Sequence, residues 1–233
     1  MDVTNEQIEV AVEFCQGLRE NLVSISAEQP ALEGCSREAA RAYYHAVRFV
    51  RFYQILQRYN RVTWLMDVDA LFNRTPDELF GRFAGHDVAF RVRPGRLEPW
   101  NRFSAELVGG ATSRLSLEFF RLVTAYIMHF FRRGELRWGI DQLSMFGVYN
   151  HMEQQGSTPH VMLIAQHELD AEHLDNGLIW HSSAQDKYDH LFRDQIKLGS
   201  VVDKYQLKMG EYSSALIENP SHQRLLSLLD KSR

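Results

Sequence analysis

Three patterns follow one another between residues 36 and 80, and together they leave few folds open. The first is helical. Ser36 offers an N-cap before Arg37-Glu38-Ala39-Ala40, and Glu38 in the first turn favours the helix dipole. Ala46, Phe49, Val50, Tyr53 and Leu56 then make one apolar stripe at helical spacing, which predicts a helix to about Arg58; Tyr44, Arg48, Arg51 and Ile55 lie on a neighbouring stripe. The second pattern is Arg61-Val62-Thr63-Trp64-Leu65-Met66-Asp67-Val68-Asp69-Ala70-Leu71-Phe72, an apolar, β-branched run broken by two carboxylates one residue apart. It reads as a buried strand over 62–66 whose C-terminal end surfaces with Asp67 and Asp69. The third is a helix start, Thr75-Pro76-Asp77-Glu78, with a hydroxyl cap, proline at the first helical position and acids behind it. A strand between two helices belongs to an α/β layer fold, where ligands bind beyond the carboxyl ends of the strands. Two carboxylates there form a hard-oxygen site suited to Mg²⁺ or Mn²⁺.

The rest of the chain continues the alternation. Residues 5–20 read as a helix and 21–26 as a short strand; 87–92 predict another strand and 94–104 a loop over a cleft. Leu115, Phe119, Leu122, Val123, Tyr126, Ile127 and Phe130 predict an amphipathic helix over 114–132, ended by Gly134. Strands are expected over 160–165 and 177–181, a helix over 142–148, and two short helices near 212–218 and 221–230. No repeat or linker divides the chain, so 1–233 is expected to be a single domain with a mixed, mostly parallel sheet flanked by helices, Rossmann-like in layering.

Composition narrows the function classes. The 233 residues are 45% hydrophobic and 24% charged, as in ordinary globular proteins. A formal net charge of −4 gives no reason to expect nucleic acid or an anionic membrane as partner. No apolar run reaches 18 residues, so no transmembrane segment is expected. The polar, acidic opening Met1-Asp2-Val3-Thr4-Asn5-Glu6 does not read as a signal peptide, which points to a cytoplasmic location. Cys15 and Cys35 are too few and too unpatterned for a disulfide framework or a zinc site, and no histidine pair has zinc-ligand spacing. Every lysine lies at or beyond Lys187, while arginines crowd the middle of the chain, where their planar forks suit phosphate or carboxylate.

The order of motifs resembles GT-A-fold glycosyltransferases, in particular the family that includes glycogenin and bacterial lipopolysaccharide galactosyltransferases. The run Arg41-Ala42-Tyr43-Tyr44-His45-Ala46-Val47-Arg48-Phe49 stands where that family has a helix with a Tyr-x-Arg-like motif. Asp67-Val68-Asp69 matches its Asp-x-Asp, and Pro76-Asp77-Glu78-Leu79 its following helix start. Trp138-Gly139-Ile140-Asp141-Gln142 resembles its Asp-Gln motif. His181-Ser182-Ser183-Ala184-Gln185-Asp186-Lys187 resembles its His-x-x-Gly-x-x-Lys pattern, with Ala184 in place of glycine. The likeness covers about residues 36–190, leaving 191–233 as a C-terminal helical segment. Only about 35 residues precede the first motif, so the fold is expected to be N-terminally abbreviated, lacking the opening nucleotide-binding strand that an additional chain or domain would then supply.

The resemblance implies transfer of a sugar from a nucleotide-diphosphate donor to a glycan, protein or lipid acceptor, with retention of configuration. Asp67, Asp69 and His181 would hold Mn²⁺ (or Mg²⁺), which neutralises the diphosphate leaving group as a Lewis acid. Arg48, Lys187 and Asp67 would face the donor phosphates, and Asp141 and Gln142 would orient the sugar and stabilise an oxocarbenium-like state. Two alternatives stand beside this. One is a catalytically inactive glycosyltransferase-like module that binds a sugar or partner; the other is a metal-dependent phosphohydrolase using the same aspartates. For single residues, the competing readings are a helix cap for Asp141, a structural ion pair for Arg48, an ordinary packed histidine for His181 and a surface position for Lys187.

Overall fold

A computed structural model describes residues 35–67, 70–171 and 176–181, all of which belong to one compact unit. The helix of 5–20, the strand of 21–26 and the helices near 212–218 and 221–230 lie outside the described residues. Helix α1 (Arg37–Tyr59) begins where expected. Ser36 accepts from the Ala39 amide at 3.1 Å, and Asn60 closes the helix in the left-handed region at φ 47°. Strand β1 (Thr63–Met66) follows, then the two-residue β2 (Leu71–Phe72) and α2 (Asp77–Arg82). At this helix Pro76 is itself the cap position, and Thr75 donates to the Asp77 carboxylate at 2.7 Å instead of accepting from a backbone amide as a cap would.

Strand β3 (Val88–Val92) is followed by a corrected stretch. In place of a loop over 94–104, the chain forms a one-turn helix α3 (Pro99–Arg102) and runs directly into β4 (Phe103–Gly110), the longest strand among the described residues. The remaining elements are α4 (Arg114–Arg133), α5 (Ile140–Gln154), β5 (Val161–Leu163), β6 (Leu169–Asp170) and β7 (Ile179–Trp180).

The main sheet has the order β1-β4-β3-β5, and a smaller one the order β2-β7-β6. The main sheet is mixed and flanked by helices, but it is not mostly parallel: β4 pairs antiparallel with both β1 and β3, and only β3–β5 is parallel. Nor is β1 central; among the described residues it is an edge. The physical reason is the short connection through α3. It is too brief for a parallel crossover, so the chain doubles back between β1 and β3. Those two strands and β5 still share one direction, and their C-terminal ends lie along one border of the sheet.

Both sheet faces are apolar. Val88, Phe90, Phe103, Ala105 and Val108 pack under α1, α4 and α5 against Phe49, Phe52, Phe119, Phe120 and Met145. Ala89, Leu107 and Met162 face the other layer with Leu79, Phe83, Leu169 and Ile179. A strand buried on both faces carries no polar alternation, which is why β4 does not read as half-buried. Its two closing glycines answer to space. A Cβ at Gly110 would come within 2.9 Å of Leu56 and Phe120, and one at Gly109 within 3.0 Å of Ala89 and Trp64. Helices α1 and α4 therefore approach β4 more closely than any side chain there would permit.

The register between β3 and β4 slips between Phe90 and Arg91. Phe90 faces Val108, whereas Arg91 faces Ser104, so Ala105, Glu106 and Leu107 bulge out of the ladder. Bulges re-aim side chains and recur beside functional sites. Here the bulge carries the carboxylate of Glu106.

Among the described residues, no helix is long and apolar enough to cross a membrane.

Candidate functional site

Polar side chains collect along the border where β1 and β3 end. Asp67 is the first residue after β1; its amide donates to the Glu106 carbonyl at 3.0 Å, and its own carbonyl accepts from Ala70 at 3.1 Å. From the middle of α1, Arg48 reaches this point. One guanidinium nitrogen bonds the Asp67 carboxylate and the other lies 3.2 Å from Asp141 Oδ2, while Nε donates to the His45 carbonyl at 2.9 Å. The three side chains thus meet across separations of 19 and 93 residues. Asp141 sits in the first turn of α5 and is only 3% exposed. A carboxylate so buried is stable as an anion only with a cation beside it, and Arg48 is that cation.

Asp141 is not the cap of its helix. Gly139 occupies that position at φ 80°, and Asp141 Oδ1 accepts from the Gln142 amide at 2.9 Å. Gln142 turns elsewhere: its amide group faces the carbonyls of Trp100 and Phe103, 2.5 and 3.2 Å away, and with the nitrogen assigned to that side it donates to both, fastening α3 to α5.

A second knot adjoins the first. Glu106 takes Arg93 Nη2 at 2.8 Å and Ser104 Oγ at 2.6 Å, and Arg93 is held in turn by Asn101 at 2.8 Å. His181, just past β7, places Nδ1 3.8 Å from Glu106 Oε1, and the Asp67 carboxylate is near enough to favour its charged form. Arg91 donates to the Leu169 carbonyl at 3.0 Å, beside Asp170. The sequence reading passed over Glu106. Its signal is a lone carboxylate inside the apolar run Phe103–Gly110, a position that burial penalises unless cations surround it.

The electrostatics follow from this crowding. Burial, the largest influence on Glu106, pushes its pKa up, but His181, Arg93, the Ser104 hydroxyl and Arg91 together bring it below the ordinary carboxylate value. The His181 pKa is lowered too: burial first, then Arg91 and Arg93, outweigh the pull of Glu106 and Asp67. His45 is lowered likewise, by burial first and Arg48 second, with Asp141 and Asp67 opposing. Both imidazoles are therefore held in the neutral form.

Of the expected site residues, Arg48, Asp67 and Asp141 are in direct contact, His181 joins them through Glu106, and Gln142 is adjacent but faces backbone. Asp69 and Lys187 lie outside the described residues. For a divalent metal, a carboxylate oxygen of Asp67 and a neutral imidazole nitrogen of His181 are suitable donor types for Mn²⁺. Among the described residues, no three His, Cys, Asp or Glu side chains form a complete metal cradle.

No family model, curated protein or solved structure matches this chain.

Proposed function

We propose that the chain is a metal-dependent glycosyltransferase domain that moves a sugar from a nucleotide-diphosphate donor to an acceptor. The observation that carries this reading is the Arg48 clamp, in which one guanidinium gathers a strand-end carboxylate and a helix-start carboxylate at the ligand-binding border of an α/β sheet. Breaking the bond between a sugar and a diphosphate leaves negative charge on phosphate and positive charge on the sugar ring. A site for that reaction needs a fixed cation and fixed carboxylates within a few ångströms of one another. Arg48, with two forked donors, suits the phosphate side; Asp141, buried beside the guanidinium, suits sugar hydroxyls and an oxocarbenium-like centre. Asp67, Asp69 and His181 would hold Mn²⁺ or Mg²⁺, whose bound form supplies Lewis-acid neutralisation of the leaving diphosphate. Lys187 would add a further charge for phosphate, and the resemblance to the glycogenin family implies retention of configuration.

Calorimetric titration with Mn²⁺ and UDP, GDP or dTDP tests the reading. Metal-dependent binding of one nucleotide supports it, and the absence of binding to all three sinks it. Asp141→Ala then separates chemistry from scaffolding. Turnover should fall by about 100-fold or more, the scale of a misplaced reacting group, while nucleotide affinity changes little. The same clamp favours a second reading, a sugar- or partner-binding module without turnover, because Arg48 is already engaged by both carboxylates. An Asp141→Ala variant that binds nucleotide as before, from a parent that transfers no sugar from any donor, would select it.

A further inference from the structure

A cavity of about 260 Å³ lies beside the second and third turns of α5, and no residue of the Arg48 clamp lines it. Its wall is aromatic. Phe90 and Phe103, both buried, stack with centroids 4.5 Å apart, while Phe146 and Tyr149 meet Phe103 edge-on at 5.6 and 5.7 Å. Its lip is Leu163, 60% exposed at the end of β5, which among the described residues is an edge strand. Arg102, the last residue of α3, is the only charged residue among the described ones that line it. Its Nη1 donates to the Arg96 carbonyl at 3.1 Å, a contact that anchors the guanidinium without neutralising it.

We infer that this cavity is a binding site for a small planar aromatic carboxylate, separate from the clamp and independent of the glycosyltransferase reading. Size sets the first limit. An apolar cavity of roughly 150 Å³ holds one benzene ring, so this one takes a one- or two-ring guest and not an oligosaccharide. The wall sets the second. Aromatic rings prefer offset-stacked or edge-to-face neighbours, and here the wall presents rings at both angles to a flat guest. Charge sets the third. A guanidinium pairs best with a planar anion that accepts two of its N–H groups, which a carboxylate does. A cationic guest would meet Arg102 with no lining carboxylate to offset the repulsion. A neutral apolar guest would strip water from the guanidinium without replacing its hydrogen bonds.

Calorimetric titration of the full chain with indole-3-propionate tests the site, with indole-3-propionamide as the control for charge and 3-cyclohexylpropionate as the control for the ring. The variants are Arg102→Gln and Leu163→Glu, both outside the buried core, and circular dichroism checks each fold. The acid should bind the parent chain with a dissociation constant below about 1 mM, and each control at least about tenfold more weakly. Arg102→Gln should weaken the acid by about tenfold and leave the amide as it was, closing the gap between them, a result that a lost fold cannot mimic. Leu163→Glu sets a like charge at the lip and should weaken the acid more than the amide. The proposal is overturned if the acid fails to bind the folded parent chain, or if the amide or the saturated acid binds as tightly. It is equally overturned if either folded variant keeps the parent's preference for the acid. Displacement of bound acid by UDP, GDP or dTDP with Mn²⁺ would assign the cavity to the sugar donor and overturn it as a separate site. Acid binding with no nucleotide binding would remove the transferase reading and leave this site standing; nucleotide binding without acid binding would do the reverse.

Discussion

The sheet face under α1 and α4 and the border where β1 and β3 end are built from opposite materials. Under α1 and α4 the contacts are hydrocarbon: Phe52 meets Phe120 edge-on at 4.8 Å, Phe119 meets Phe120 at 5.1 Å, and Gly110 lets both helices close over β4. At the border where β1 and β3 end, the same strands and the same α1 present Arg48, Asp67, Asp141, Glu106, Arg93 and His181 in contact or near contact. The hydrocarbon region gains free energy in proportion to the area it buries. The charged region gains little net, because desolvation of each ion cancels much of its pairing energy. Among the described residues the contrast separates a hydrocarbon scaffold from a charged border, the part proposed as the site.

The largest effect should come from emptying the scaffold. Phe119→Ala removes a fully buried ring where α4 meets the sheet and should cost about 3–5 kcal/mol, read from denaturant midpoints. No second substitution at the polar border should recover that loss, since nothing there occupies the cavity. A loss below about 1 kcal/mol would mean that this face is loosely packed, and the contrast would fail.

Breaking the clamp should cost somewhat less and be partly recoverable. Arg48→Ala leaves the buried Asp141 carboxyl without its cation, and about 3 kcal/mol is the expected loss. Adding Asp141→Asn removes the orphaned carboxyl and should restore part of it, a coupling that a double-mutant cycle measures directly. Additive losses would show that Arg48 and Asp141 do not share one network.

Acid should act on the polar border before it acts on the core. His45 and His181 have lowered folded pKa values, so the unfolded chain takes up their protons first; stability is full above about 6.5 and declines as pH falls below it. Glu106, also lowered, adds its own contribution above about 4.5, and that is lost on further acidification as pH falls through its folded pKa. Melting temperature against pH should therefore fall in two stages. His181→Gln together with His45→Gln should flatten the upper stage and leave the lower one. A profile that rises on acidification from pH 7 would contradict the sign of both histidine shifts.

The contrast also explains what the sequence made legible. Helices α1 and α4 could be read because their burial is one-sided, leaving a stripe at helical period between recognisable caps, Ser36 at one and Gly134 at the other. Strand β4 could not. Buried on both faces, bulged at Ala105–Leu107 and ending in two glycines, it shows neither alternation nor uniform β-branching. Missing it also produced the expectation of a mostly parallel sheet, because alternating helices and strands suggest crossovers unless a reversed strand is seen between them. Strands β2 and β6 are two residues each, below any periodicity. Asp67 was legible as a chemistry-bearing residue because two carboxylates break an apolar run, whereas Arg48 and Asp141 stood out only through motifs that resemble the glycosyltransferase family. That Gln142 serves α3 and Glu106 serves His181 was not legible, since both depend on which carbonyl or imidazole the fold brings alongside.

The smallest effect should come from a charge pair that resembles the clamp on paper and differs from it in surroundings. Arg121 meets Glu118 through both its Nε and Nη2, at 2.8 and 2.7 Å, in a better fork than Arg48 makes with Asp141. The hydrogen bond is the first cause lowering the Glu118 pKa and raising that of Arg121. Yet the two side chains are 44% and 50% exposed, one turn apart on the outer face of α4, so water and salt screen what geometry offers. Arg121→Ala should change stability by less than about 0.5 kcal/mol, and the difference should shrink further in 1 M NaCl. If removing Arg121 cost as much as removing Arg48, ion-pair geometry rather than desolvation would set the energetics of both. The polar border would then lose its distinction from the rest of the surface.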